Sequence, residues 1–115
     1  MDALERKRRL LSAGMDVVAK QALEYVPDSG SFSPTWVQLN NYAVGYDGYL
    51  RIEHSAAHGC TIRASINPKG TDLEISNYIF FGSKRECIDW LKDGTHLDEL
   101  LKIFDHLAQK ADDRI

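Results

Sequence analysis

The sequence predicts a single α+β domain over residues 1–115, with an N-terminal helix, a four-stranded antiparallel β-meander and two C-terminal helices packed on one sheet face. Helical periodicity occurs near both ends of the chain, and apolar and polar residues alternate through its middle. In residues 71–91, TDLEISNYIFFGSKRECIDWL, the alternation changes to helical spacing after Gly82-Ser83. This segment is therefore expected to join the sheet to the C-terminal helices.

The first predicted helix covers residues 2–26, where apolar side chains recur three, four or seven positions apart. Pro27 ends it. A basic cluster, RKRR at residues 6–9, lies in its first turns, where positive charge opposes the helix dipole. The cluster is either a patch for phosphate or an acidic partner, or a solvent-exposed face partly offset by Asp2 and Glu5.

Two hairpins are predicted next. Asp47-Gly48 separates strands 35–46 and 49–54, and a type I′ turn there would pair Tyr46 with Tyr49 and Tyr42 with Glu53. The turn 67–70, NPKG, separates strands 60–66 and 71–81 and would pair Ile66 with Thr71. In this register Arg63 faces Glu74 across the strands.

The last two helices are predicted over residues 84–92 and 97–111. Ser83 and Glu86 have the spacing of a capping box at the start of the first. The second has an apolar stripe that begins at Leu97 and ends at Ala111. Asn77 interrupts the apolar phase of the fourth strand, so we expect a bulge or a buried hydrogen bond there.

The two hairpins together predict one aliphatic sheet face and one aromatic, polar face. If helices cover the aliphatic face, the other meets solvent and is the candidate interaction surface, because protein interfaces are enriched in aromatic residues and arginine. Trp36, Tyr46 and Phe80 share its phase. The predicted partner-binding residues are Tyr42, Tyr49, Arg51, Glu53, Asp72, Glu74 and Tyr78.

No residue set indicates catalysis, a metal site or a cofactor. The order His54, His58, Cys60 does not have the spacing of a zinc site. Cys60 and Cys87 lie among apolar residues and are predicted to be reduced core thiols, as in a cytoplasmic protein. A net charge of −3 argues against direct nucleic-acid binding, and no segment is apolar enough to predict a membrane helix.

The short length, acidic balance and order of elements, with YIFFGSKRECIDWLKDG followed by an acidic amphipathic helix, resemble bacterial immunity proteins. These proteins are the inhibitors paired with toxins of contact-dependent growth inhibition and other polymorphic toxin systems. The resemblance implies a cognate toxin as partner, often a basic nuclease domain that an acidic surface attracts electrostatically. It assigns no functional residue.

Two alternatives remain from the sequence. One is a small acidic secretion chaperone, which would be dimeric and would present sheet and helix surfaces to an unfolded segment. The other is a small ligand-binding domain or enzyme, which would require a pocket with convergent polar groups. The sequence leaves both a monomer and a homodimer open.

Overall fold

A computed structural model describes residues 2–114. Helix α1 comes first, then strands β1 to β4, and then helices α2 and α3, which are joined by a short 3-10 turn. In chain order the bounds are α1 Ala3–Tyr25, β1 Thr35–Ala43, β2 Tyr46–Ser55, β3 Gly59–Pro68, β4 Ile75–Gly82, α2 Lys84–Lys92, the 3-10 turn Gly94–His96 and α3 Leu97–Arg114. The strands form one antiparallel sheet in the order β1-β2-β3-β4. This confirms the predicted α+β meander.

The helices lie on one face of the sheet, which we call the inner face. Helix α1 packs against β1, α3 packs against β3 and β4, and α1 also contacts both other helices. The core between them is aliphatic, with Phe104 of α3 and Leu11 of α1 fully buried against it. The capping box predicted at Ser83 and Glu86 is present at the start of α2.

The first hairpin differs from the prediction in both turn and register. Gly45, at a φ of +83°, follows Val44 in the turn, and Asp47 and Gly48 are residues of β2. Tyr49 therefore faces Gln38 rather than Tyr46, a shift of eight positions. The Asp-Gly pair does not form the turn. Gly48 instead lies close to the core, since a Cβ atom there would lie 3.1 Å from Cε1 of Phe104.

Tyr42 is the one predicted site residue that the structure places in the core. The register of β1 shifts between Leu39 and Ala43, and Asn41 takes a positive φ of 52°. This irregularity turns Tyr42 to the inner face, where it is fully buried with its ring centroid 5.2 Å from that of Phe104. Its predicted place on the exposed face is therefore wrong.

The second hairpin is also shifted. Pro68 still belongs to β3, and the connection to β4 is longer than the predicted turn, so Ile66 faces Ile75 instead of Thr71. The slip is four positions. Because it is an even number, the residues of β3 and those of β4 up to Tyr78 keep their predicted sheet face. The predicted pair of Arg63 with Glu74 is replaced by Arg63 opposite Tyr78.

The irregularity expected near Asn77 lies two residues further on. Arg63 faces Tyr78 but Ile62 faces Phe80, so Ile79 is an extra residue in β4. Asn77 itself is exposed, which contradicts the alternative of a buried hydrogen bond. Beyond the bulge the faces exchange: Phe80 packs on the inner side against Trp90, and Phe81 takes the outer position predicted for Phe80.

Candidate protein-binding face

The sheet face opposite the helices is the candidate site, and we call it the outer face. Its strand residues include Trp36, Gln38, Asp47, Tyr49, Arg51, Glu53, Thr61, Arg63, Ser65, Asn67, Ser76, Tyr78 and Phe81. Four of the predicted partner-binding residues, Tyr49, Arg51, Glu53 and Tyr78, lie on it. Asp72 and Glu74 lie in the connection before β4 and are exposed.

Two arginines cross the centre of the outer face. In one row of cross-strand neighbours, Trp36, Arg51, Arg63 and Tyr78 follow each other from β1 to β4. Two like charges on directly opposed residues repel each other. An acidic side chain accompanies each arginine, Glu74 at Arg51 and Glu53 at Arg63, and offsets this repulsion.

Arg51 is held by three contacts. Its Nη1 lies 2.6 Å from Oε1 of Glu74 and 3.1 Å from Oγ of Ser65. Its guanidinium also lies over the ring of Tyr49, 5.3 Å from the centroid. Glu74 thus reaches back from the connection and joins it to the middle of the sheet.

The pKa of Glu74 reflects these contacts. Partial burial is the largest single influence and raises it, but hydrogen bonds from Arg51 and Ser65 and the positive charges of Arg51 and Arg63 together outweigh burial. The pKa of Glu74 is therefore lower than its ordinary value, and the carboxylate remains charged at neutral pH.

Arg63 pairs with Glu53. Its Nε lies 2.8 Å from Oε1 of Glu53, and its guanidinium lies 5.9 Å from the ring centroid of Tyr78. The two atoms are close enough for an ion pair but are not aligned as a hydrogen bond, and both are buried without another partner in residues 2–114.

Aromatic side chains flank the charged centre on both sides. On the β1 side, the rings of Trp36 and Tyr49 are 5.9 Å apart, and a shallow cavity of about 340 Å³ opens between them and the two arginines. On the β4 side, the ring of Phe81 lies 5.7 Å from that of Tyr78 and 5.3 Å from that of His58. Trp36, Tyr78 and Phe81 are each about half exposed, at 50%, 53% and 47%.

The basic cluster at residues 6–9 is engaged within the molecule. Arg6 donates to backbone carbonyls at 40–42, where β1 is irregular. Lys7 pairs with Asp105 at 3.1 Å and Arg8 pairs with Asp98, so both join α1 to α3. Arg9 pairs with Glu5. These contacts favour a structural role for the cluster over a phosphate patch.

The candidate chemical groups named from the sequence do not form a catalytic arrangement. Cys60 and Cys87 are buried, and burial raises the pKa of both thiols, that of Cys87 to about 12. The exposed rings of His54 and His58 contact Phe32 and Phe81 respectively. Within residues 2–114 no three His, Cys, Asp or Glu side chains are grouped as metal ligands.

Trp36, Arg63 and Phe81 were missing from the predicted set of partner-binding residues. Trp36 and Arg63 were assigned to the correct face, but Phe81 required knowledge of the bulge at Ile79. The break in the apolar pattern at Asn77 was the available signal for that bulge.

Comparison of the chain with protein-family models, with curated proteins and with solved structures found no match. None of the helices in the described part of the chain is long and apolar enough to cross a membrane.

Proposed function

We propose that this protein is a cytoplasmic inhibitor that binds and neutralises a cognate bacterial toxin through the outer face of its sheet. The observation that supports this most strongly is the exposure of Trp36, Tyr78 and Phe81 on a sheet face that none of the helices in residues 2–114 covers. Half-exposed aromatic rings next to oriented arginines are typical of the residues that contribute most to protein–protein affinity.

The ion pairs of the outer face suit it to recognition. Arg51 and Arg63 are already oriented by Glu74 and Glu53, so little side-chain freedom remains to be lost when a partner binds. Asp72 is exposed beside this surface, and the net charge of the chain is −3. An overall acidic inhibitor associates faster with a basic partner such as a nuclease domain, through electrostatic steering.

The functional test is growth rescue. The protein encoded immediately upstream of this chain's gene is expressed in a bacterial host, alone and together with this chain. We expect growth arrest in the first case and normal growth with a stable complex in the second. Arrest that this chain does not relieve, with no complex between the purified proteins, would contradict the proposal.

The surface is tested by substitution and calorimetric titration with that partner. Tyr78→Ala, Asp72→Lys and Glu74→Lys should each weaken binding by at least about 1 kcal/mol, with folding intact. Matched controls lie on α1, away from the outer face: Tyr25→Ala removes a tyrosine that is 68% exposed, and Asp16→Lys reverses an exposed charge. Unchanged affinity of all three outer-face variants would contradict this binding surface, and a loss confined to the α1 variants would place the contact on the helices instead.

A further inference from the structure

The two edges of the sheet differ in how their backbone is protected. At the β1 edge, the guanidinium of Arg6 donates to backbone carbonyls at 40–42, and the carboxylate of Asp47 accepts the N–H of Asn41. Helix α1 packs along the same strand, and Thr35 is hydrogen-bonded to Gln21 of α1. The irregular end of β1 is thereby closed to further strand pairing.

The β4 edge lacks these protections. Its sequence, ISNYIFFG, has no charged residue and no proline, the two residue types that most often block an edge strand. In residues 2–114, the side-chain hydrogen bonds to its backbone come from the neighbouring strand, by Thr61 to the carbonyl of Phe80, and from the thiol of Cys87 at the last residue. The outward row of backbone groups on β4 is available for another strand.

The bulge makes β4 complementary to itself in an antiparallel pair. Ser76 and Tyr78 are outer residues before the bulge, and Phe81 is an outer residue after it. If Tyr78 of one copy lies opposite Ile79 of the other, Ser76 lies opposite Phe81 and Asn77 opposite Phe80. On both sides of the bulge, outer residues then face outer residues and inner ones face inner ones, as paired strands require. At the axis, Tyr78 meets Ile79, the extra residue of the bulge. Without the bulge, this register would place outer residues of one copy opposite inner residues of the other.

The flanking charges fit the same register. Asp72 lies in the connection three residues before β4, and Arg85 lies in the first turn of α2, three residues after β4. An antiparallel pair therefore brings the strand end near Asp72 of one copy close to the strand end near Arg85 of the other. Asp72 has no ion pair within the described part of the chain. Arg85 is 87% exposed and has only a 3.6 Å contact with Asp89, one helical turn away. An antiparallel pair of strands would contain the contact between Asp72 and Arg85 twice.

We infer that β4 pairs with β4 of a second copy of this chain, about a two-fold axis between Tyr78 and Ile79, and so forms a continuous eight-stranded sheet. The pairing also covers the open side of the stacked rings of Phe80 and Trp90, which are only partly buried beside this edge. One strand pair is a small interface, so the dimer should be reversible. This inference does not depend on the proposed function.

The first test is sedimentation equilibrium of the full chain from about 10 µM to about 1 mM, a range suited to a small interface. We expect a monomer–dimer equilibrium. Asp72→Arg and Arg85→Asp should each weaken the dimer about threefold to tenfold, because each brings like charges together twice. The double variant D72R/R85D restores opposite charges and should recover the original affinity.

The second test fixes the register by cross-linking. Ser76→Cys and Phe81→Cys are prepared separately and mixed under mild oxidation, where a covalent dimer should form only in the mixture. In a dimer of either variant alone, the new thiols of the two copies would lie roughly 16 Å apart. Gln38→Cys, on the β1 edge, is the control and should give no product with Phe81→Cys.

A strict monomer at the highest concentration would overturn the inference. A dimer that responds to neither charge reversal, and gives no mixed cross-link, would place the contact elsewhere and overturn it equally. Both measurements use this chain without its toxin, so neither outcome depends on whether the chain is an inhibitor.

Discussion

The inner and outer faces of the sheet are built from the same strands but differ in what they stabilise. Leu50, Ile52 and Ile62 are fully buried on the inner face, whereas Arg51 and Arg63, which alternate with them, lie on the outer face. The two-residue period of a strand thus separates residues that hold the fold from residues available to a partner. Substitutions on the two faces should therefore have separable effects on folding and on binding.

The largest difference is expected between two phenylalanines. Phe104 is fully buried against Tyr42 and Gly48, so Phe104→Ala leaves a cavity and should lower the free energy of unfolding by about 3 to 5 kcal/mol. Phe81→Ala, on the outer face, should lower it by less than about 1 kcal/mol. Urea denaturation measures both. A loss from Phe81→Ala as large as that from Phe104→Ala would mean that the two faces do not differ in this way.

The assignment of residues to faces could be predicted far better than the strand register. Both hairpins are shifted by even numbers of positions, eight and four, so Tyr49, Arg51 and Tyr78 keep the predicted outer orientation. The alternation of residue types is a local property that can be read directly from the sequence. The register depends on where the turn falls, and that depends on contacts with helices distant in sequence.

Gly48 illustrates this dependence on distant contacts. Its position after Asp47 predicts a turn, yet the structure uses the glycine for close packing, because a Cβ atom there would lie 3.1 Å from the ring of Phe104 and 3.3 Å from Cβ of Leu39. Nothing near Gly48 in the sequence indicates this. The turn forms instead at Val44-Gly45, where Gly45 has the positive φ that the second central residue of a type II turn requires.

Tyr42 could not be placed from alternation either. Its inward orientation results from the irregular segment around Asn41, which is stabilised by Arg6 of α1 and by the carboxylate of Asp47. In the core the hydroxyl of Tyr42 donates to Oδ1 of Asp105 at 2.9 Å. A residue predicted to bind a partner is thus one of the links between the sheet and α3.

An intermediate effect is expected at Gly48. Gly48→Ala places a Cβ atom 3.1 Å from Cε1 of Phe104 and 3.3 Å from Cβ of Leu39, so the inner face must shift to accept it. The free energy of unfolding should fall by about 1 to 3 kcal/mol, the usual cost of overpacking. Gly94→Ala is the control, since no atom lies within 4 Å of its added Cβ. If both variants are as stable as the wild type, the inner face is less tightly packed than the structure indicates.

The smallest effect is expected at the ion pair between Arg51 and Glu74. The pKa of Glu74 is lower in the folded chain than in the unfolded one, so the pair stabilises the fold above the unfolded value of about 4.3. That contribution is lost as the pH falls through the folded pKa. Because the side chain of Glu74 is 39% exposed, solvent screening should limit the contribution to about 0.5 kcal/mol.

Comparison of wild type and Glu74→Gln by urea denaturation at pH 7 and pH 3 measures this contribution. The variant should be slightly less stable at pH 7, and the difference should shrink as the pH falls through the lowered pKa of Glu74. Glu24→Gln, at an exposed position on α1, should show no such change with pH. A loss above about 2 kcal/mol at pH 7, well beyond that of an exposed pair, would show that the outer face holds the fold together as the inner face does. A small loss would mean that the charged and aromatic residues of the outer face contribute little to the stability of the fold and can bind a partner.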